Sequence, residues 1–132
     1  MIFKVLCALE LELVNCGEYN LFTIKDMCRR YIDLVTIGTI ADVMPLCDEN
    51  RIMVYMGLGM LSSTRNIGVR ELFHAVGIDA SKKITASMIG YTIAPKINAA
   101  GRIGNASRAV QLFLATSPHA ARAIAEELCL TN

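Results

Sequence analysis

The sequence is poor in the groups from which a self-contained metal or catalytic centre is usually assembled. It has two histidines, His74 and His119, isolated and far apart. Its five cysteines (Cys7, Cys16, Cys28, Cys47, Cys129) are widely spaced and form no Cys-x-x-Cys pair, which argues against a structural zinc site. Their odd number and spacing also exclude a disulfide framework, so a reducing cytoplasm is the expected compartment. Cys7 and Cys129 sit between apolar neighbours and read as buried thiols, and Cys28 reads as a structural one. Charge of neither sign is in excess. Thirteen basic and twelve acidic residues give a net charge of +1, too little for a broad nucleic-acid footprint, so any DNA contact must be local. No uncharged apolar run reaches the roughly 18 residues that a membrane span needs. Lys4, Glu10 and Glu12 interrupt the N-terminal apolar stretch, and no small-residue cleavage site follows, so no signal peptide is expected.

What the chain does have is apolar surface. Of its 132 residues 54% are hydrophobic, and the mean hydropathy is +0.44. That suffices for one domain with a sizeable core, and it exceeds what a small soluble domain usually carries. The surplus predicts apolar faces covered by other parts of a larger fold, or self-association.

The chain reads as a series of short helices with at most one minor strand. Met1 to Val14 is apolar beyond a narrow stripe and predicts a helix, ended by a turn with Gly17 at its C′ position. Thr23 and Asp26 resemble a capping box, which starts a second helix near Ile24 running toward Ile37. The β-branched stretch Thr36–Ile40 with Gly38 suggests a helix end or a short extended piece there. Acidic Asp48 and Glu49 precede a helix from Arg51 to about Leu61, with Ile52, Tyr55, Met56 and Gly59 on one side. A short helix over Val69–Val76 is closed by Gly77, and His74 on it reads as a partly exposed packing residue. Thr85 caps a helix that Pro95 is expected to break. Ile97 to Gly104 reads as a loop of short side chains, open to a backbone or a phosphate. Asn105 caps a helix over Ala106–Leu114, and Ser117 with Pro118 opens the last one.

Two aspartates lie in the apolar stretch from Tyr31 to Leu46. Asp42 has no basic residue near it in sequence. A carboxylate in such a setting either serves a turn or helix end before Pro45, or holds a metal. The residues alone leave both readings open.

The segment DLVTIGTIADVMPLCDENRIMVYMGL resembles the RecJ family of single-strand-specific exonucleases, within the DHH phosphoesterase superfamily. Ala94–Ile103, APKINAAGRI, resembles that family's G-P-R-[IL]-N-A-A-G-R run, about 60 residues further on and in the right order. The likeness extends over nearly the whole chain. It implies that Asp42 is the last metal-binding aspartate of the family's fourth motif, serving Mn²⁺ or Mg²⁺. It also implies that Arg102 and Asn98 bind phosphate or the DNA end; an ion pair for Arg102 and a loop-stabilising role for Asn98 remain as alternatives. Lys96 stands where the family has arginine, which keeps the charge and loses the planar fork. Asp33 reads as structural. The D-x-D and Asp-His-His motifs of the superfamily are absent from this sequence.

On the resemblance, the chain is expected to be an internal fragment of a 5′-to-3′ single-stranded-DNA exonuclease, inactive alone. It would hold the end of an α/β catalytic domain (residues 1–115) and the start of a connecting helix (116–132). Its partners would be single-stranded DNA, the missing N- and C-terminal parts of the same protein, and other copies of itself. The alternatives are a piece of a DHH phosphoesterase acting on dinucleotides or oligoribonucleotides, or a non-enzymatic helical interaction module.

Overall fold

The computed structural model describes residues 2–17, 24–102 and 106–130. Among these there is no strand; the fold is predominantly α. The helices are α1 (Ile2–Asn15), α2 (Ile24–Ala41), α3 (Asp48–Leu61), α4 (Ile67–Ala75), α5 (Ala86–Met88), α6 (Ala94–Arg102), α7 (Ala106–Leu114) and α8 (Pro118–Leu130), with a π-helical turn at Ile89–Ile93 joining α5 to α6. The caps expected from Thr23 and Asn105 lie outside the described residues.

The core belongs mainly to α4, α7, α8 and the π turn. Val69, Leu72 and Phe73 from α4 meet Leu112 from α7 and Ala121, Ala125 and Leu128 from α8, with Ile84, Ile89 and Ile93 closing the cluster. Each fully buried Leu, Ile or Phe contributes about 1.5–3 kcal/mol by leaving water. Close approach is built in by small residues. A Cβ on Gly68 would lie 2.1 Å from the Leu112 carbonyl oxygen, so α4 and α7 can touch only with glycine there. Asn66 ties the same helices together. Its Oδ1 accepts from the Val69 N–H at 3.0 Å as an N-cap, and its Nδ2 donates to the Phe113 carbonyl at 2.9 Å. Outside the core, Arg122 of α8 pairs with Glu71 of α4 at 2.9 Å, and Arg108 of α7 forks onto Glu127 of α8. The α8 helix thus packs as one body with α4 and α7.

The α2 and α3 helices pack through a second close approach. A Cβ on Gly57 would fall 1.8 Å from Thr36 Oγ1 and 2.7 Å from the Ile32 carbonyl oxygen. The packed face of α3 is Val54, Gly57 and Leu61. The side carrying Ile52, Tyr55 and Met56 turns to solvent instead. The first helix, α1, lies against α2 and has no buried residue at all.

Two expectations about helix ends are corrected. The α2 helix runs through Gly38 to Ala41, where the sequence suggested a break or an extended piece. Its threonines satisfy their hydroxyls within the helical state: Thr39 Oγ1 donates to the Val35 carbonyl at 2.7 Å and Thr36 Oγ1 to the Met53 carbonyl of α3 at 3.3 Å. Pro95, likewise, does not break its helix. It has no N–H to give, and its ring would crowd the carbonyl four residues back. The π turn just before it widens the helix, with the Ala94 N–H reaching back five residues to the Ile89 carbonyl. Residues 97–102 are consequently helical, whereas a loop was expected; 103–105 lie outside the described residues.

Candidate functional site

Asp42 follows the last residue of α2, on a turn of unusual backbone geometry. The Met44 N–H bonds to the Thr39 carbonyl and the Val43 N–H to the Ile40 carbonyl, both at 3.1 Å. This is the Schellman arrangement, whose C′ residue must be left-handed. Here that residue is Val43, with φ 53°. A β-branched side chain in this region is strained by about 1–3 kcal/mol, and such strain persists where the surroundings enforce it.

The turn presents Asp42 outward, on a groove between α2 and α1 that Phe3, Leu6 and Thr39 also line. Its side chain is exposed, and its carboxylate has no hydrogen-bond or ion-pair partner among the described residues. It also sits at the negative end of the α2 dipole, where an anion is disfavoured and a cation is drawn in. Both facts suit a carboxylate that waits for a positive ion. One carboxylate is still a small part of a shell of six or more oxygens, and among the described residues no three His, Cys, Asp or Glu side chains converge. Asp42 fits as one ligand of a hard divalent cation; the other ligands would have to come from outside the described residues.

Beside this turn a cleft of about 570 Å³ opens between the end of α2 and the α5–π–α6 rod. Ala41 and Val43, the neighbours of Asp42 on either side, line one wall; Ser87, Tyr91, Pro95 and Asn98 line the other. Asn98 thus reaches the candidate site from a helix. Lys96 does not line the cleft: it stands near Cys129 of α8, whose thiol is raised by desolvation while Lys96 pulls it the other way. The structure therefore separates two residues that sequence placed in one group. Arg102 closes α6 one turn beyond Asn98, and its side chain lies outside the described residues.

Asp33 has the structural surroundings expected of it. It is buried, takes a hydrogen bond from the Thr64 hydroxyl, and accepts from the Leu34 N–H at 2.7 Å. Tyr91 is the cleft residue that sequence reasoning missed. It is 86% exposed at the cleft, and its seven-residue spacing from Asn98, about two helical turns, is the signal that could have found it.

Comparison with known proteins gives a consistent answer. No family model matches the chain. The single-stranded-DNA-specific exonuclease RecJ of Thermus thermophilus is 41% identical over 102 residues, covering 77% of this chain and 15% of the relative. Its namesake from Dickeya dadantii is 33% identical over 132 residues, covering 98% of this chain and 23% of the relative. The crystal structure of Thermus thermophilus RecJ in complex with Mg²⁺ superposes with a TM-score of 0.71 at 39% identity, over 78% of this chain and 16% of that one. The same protein in complex with Mn²⁺ gives the same score. The chain spans less than a quarter of the length of the curated relatives it matches. Sequence and fold agree, over most of these 132 residues, that the chain belongs to the RecJ family.

Proposed function

We propose that this chain is the part of a metal-dependent, 5′-to-3′ single-stranded-DNA exonuclease that carries one metal ligand and a DNA-contacting helix. The observation that carries the reading is the outward-facing Asp42 carboxylate, without a partner among the described residues, at the C-terminal end of α2 and beside a cleft. Mn²⁺ or Mg²⁺ would be held by Asp42 together with ligands from the D-x-D and Asp-His-His motifs, which this sequence lacks. A divalent ion there supplies Lewis acidity toward the phosphodiester. The chain's own residues do the rest of what can be assigned. Asp42 fixes the ion against the α2 terminus, Asn98 contacts the strand from α6, and Arg102 offers a planar fork to a phosphate. Lys96 stands outside the cleft, near Cys129, and offers its charge to a phosphate without the planar fork. Five free thiols suit a reducing compartment, and we place the protein in the cytoplasm.

The test is nucleotide release from single-stranded DNA. The 132-residue chain alone should release none, since a single carboxylate binds Mn²⁺ weakly. In a protein of the relatives' full length that contains this chain, Asp42→Ala should abolish turnover, and neither excess metal nor excess substrate should restore it. Arg102→Ala should weaken the enzyme by about 1–3 kcal/mol through lost charge-assisted bonds, partly recovered at high substrate. Near-normal activity of Asp42→Ala would return Asp42 to the role of a turn residue.

A further inference from the structure

We infer that the cleft between α2 and the α5–π–α6 rod receives a nucleobase of the single strand, stacked on Tyr91 with the Asn98 amide at its edge. This deepens the exonuclease reading and rests on it.

The first ground is charge. Among the described residues the lining of this cleft holds no Lys, Arg, His, Asp or Glu. A phosphodiester needs cationic neighbours to replace its counterions; an uncharged pocket suits a neutral, flat ring. The second is shape. A volume of about 570 Å³ lies in the range of small-molecule sites. One wall is apolar, from Ile40, Ala41 and Val43, and the other offers an aromatic ring. The third is exposure. Tyr91 is 86% exposed, so its ring face is available for stacking. The fourth is hydrogen bonding. Asn98 is exposed and its side chain has no partner among the described residues. An amide both donates and accepts, so it can meet the edge of any base without selecting one. Asn98 is thereby assigned to a base edge and not to a phosphate oxygen. Ala41 and Val43 of the lining flank Asp42 in sequence, so a base held here lies next to the turn that carries the metal ligand.

The experiment uses the 132-residue chain and two fluorescein-labelled oligonucleotides, a short oligothymidylate and its abasic counterpart, read by anisotropy. Stacking of one base on an aromatic ring is worth enough to give about a tenfold preference for the strand that carries bases. The unaltered chain and Tyr91→Phe should both show that preference. Tyr91→Ala should bind the two strands alike, at the level of the abasic one, with an unchanged melting temperature because the side chain is exposed. If Tyr91→Ala keeps the preference, or if the unaltered chain shows none or binds neither strand, the base site is overturned. The exonuclease reading is judged separately, by Asp42→Ala turnover at full length, so either can fail without the other.

Discussion

The two halves of the molecule are built to different standards. From α4 to α8 the helices interlock: side chains are fully buried, Asn66 staples two elements, and glycine allows backbone contact at Gly68. From α1 to α3 the packing is one-sided. Ile2, Val5, Leu6 and Leu9 of α1 are exposed, as are Ile52, Tyr55 and Met56 of α3. Glu10 on α1 has both carboxylate oxygens shielded with no hydrogen-bond partner among the described residues, a costly arrangement. The candidate site lies where the two halves meet, with Asp42 on the loosely covered side and the cleft wall of Tyr91 and Asn98 on the other. The lesson is that the apolar surplus read from composition is not spread evenly. It is concentrated on α1 and on the outer side of α3, where an exposed apolar face invites a covering surface. We propose that, without one, the chain self-associates there; sedimentation that finds a monomer at high concentration would count against this.

The comparison breaks most sharply under core truncation. Leu72→Ala, in α4, should cost about 2–5 kcal/mol in urea unfolding, while Leu9→Ala, in α1, should stay within about 0.5 kcal/mol. Equal losses at both positions would erase the distinction. Gly68→Ala comes next. Its new Cβ would strike the Leu112 backbone, so helices must separate, at a cost of about 1–3 kcal/mol or more. Hydrogen exchange sharpens the contrast without substitution: amides of α4 and α8 should exchange only with global unfolding, and those of α1 much sooner.

The smallest expected effect concerns acid. The Arg108 guanidinium, by hydrogen bonding, holds the Glu127 carboxyl below its usual range. A lowered folded value means stability that is present above the ordinary carboxylate value, near about 4.3, and is lost as the pH falls through the lowered one. The pair is solvent-exposed, so the effect is slight. Arg108→Gln should lower the melting temperature slightly at neutral pH, leave it unchanged at pH values below the lowered one, and so flatten the acid side of the profile.

Much of this was legible in the sequence. Caps, glycines and apolar spacing located most helices within a few residues, because these signals act locally. The errors share one cause: a local signal was outweighed by something distant or cooperative. Gly38 and the β-branched residues around it argue against helix, yet Ile32 and Ile37 are buried and Thr36 bonds across to α3. The stripe Ile52, Tyr55, Met56 satisfies helical spacing as well as the buried one does. What chose between the faces was Gly57, the position at which α3 can approach the α2 backbone. For the site, the resemblance singled out Asp42 and Asn98 by motif, but motif alone could not separate Lys96 from Asn98. That needed the helix on which the two diverge.

The π turn at Ile89–Ile93 acts as a phase setter. Such a turn carries one residue more than a regular helix would, and every side chain beyond it is rotated by about 100° relative to an uninterrupted rod. Deleting one residue from this stretch would keep the composition almost intact and the segment helical. It would also swing Asn98 out of the cleft and press the Pro95 ring onto the preceding turn. The register of this helix, more than the identity of any one residue on it, decides which chemistry lines the cleft at the end of α2.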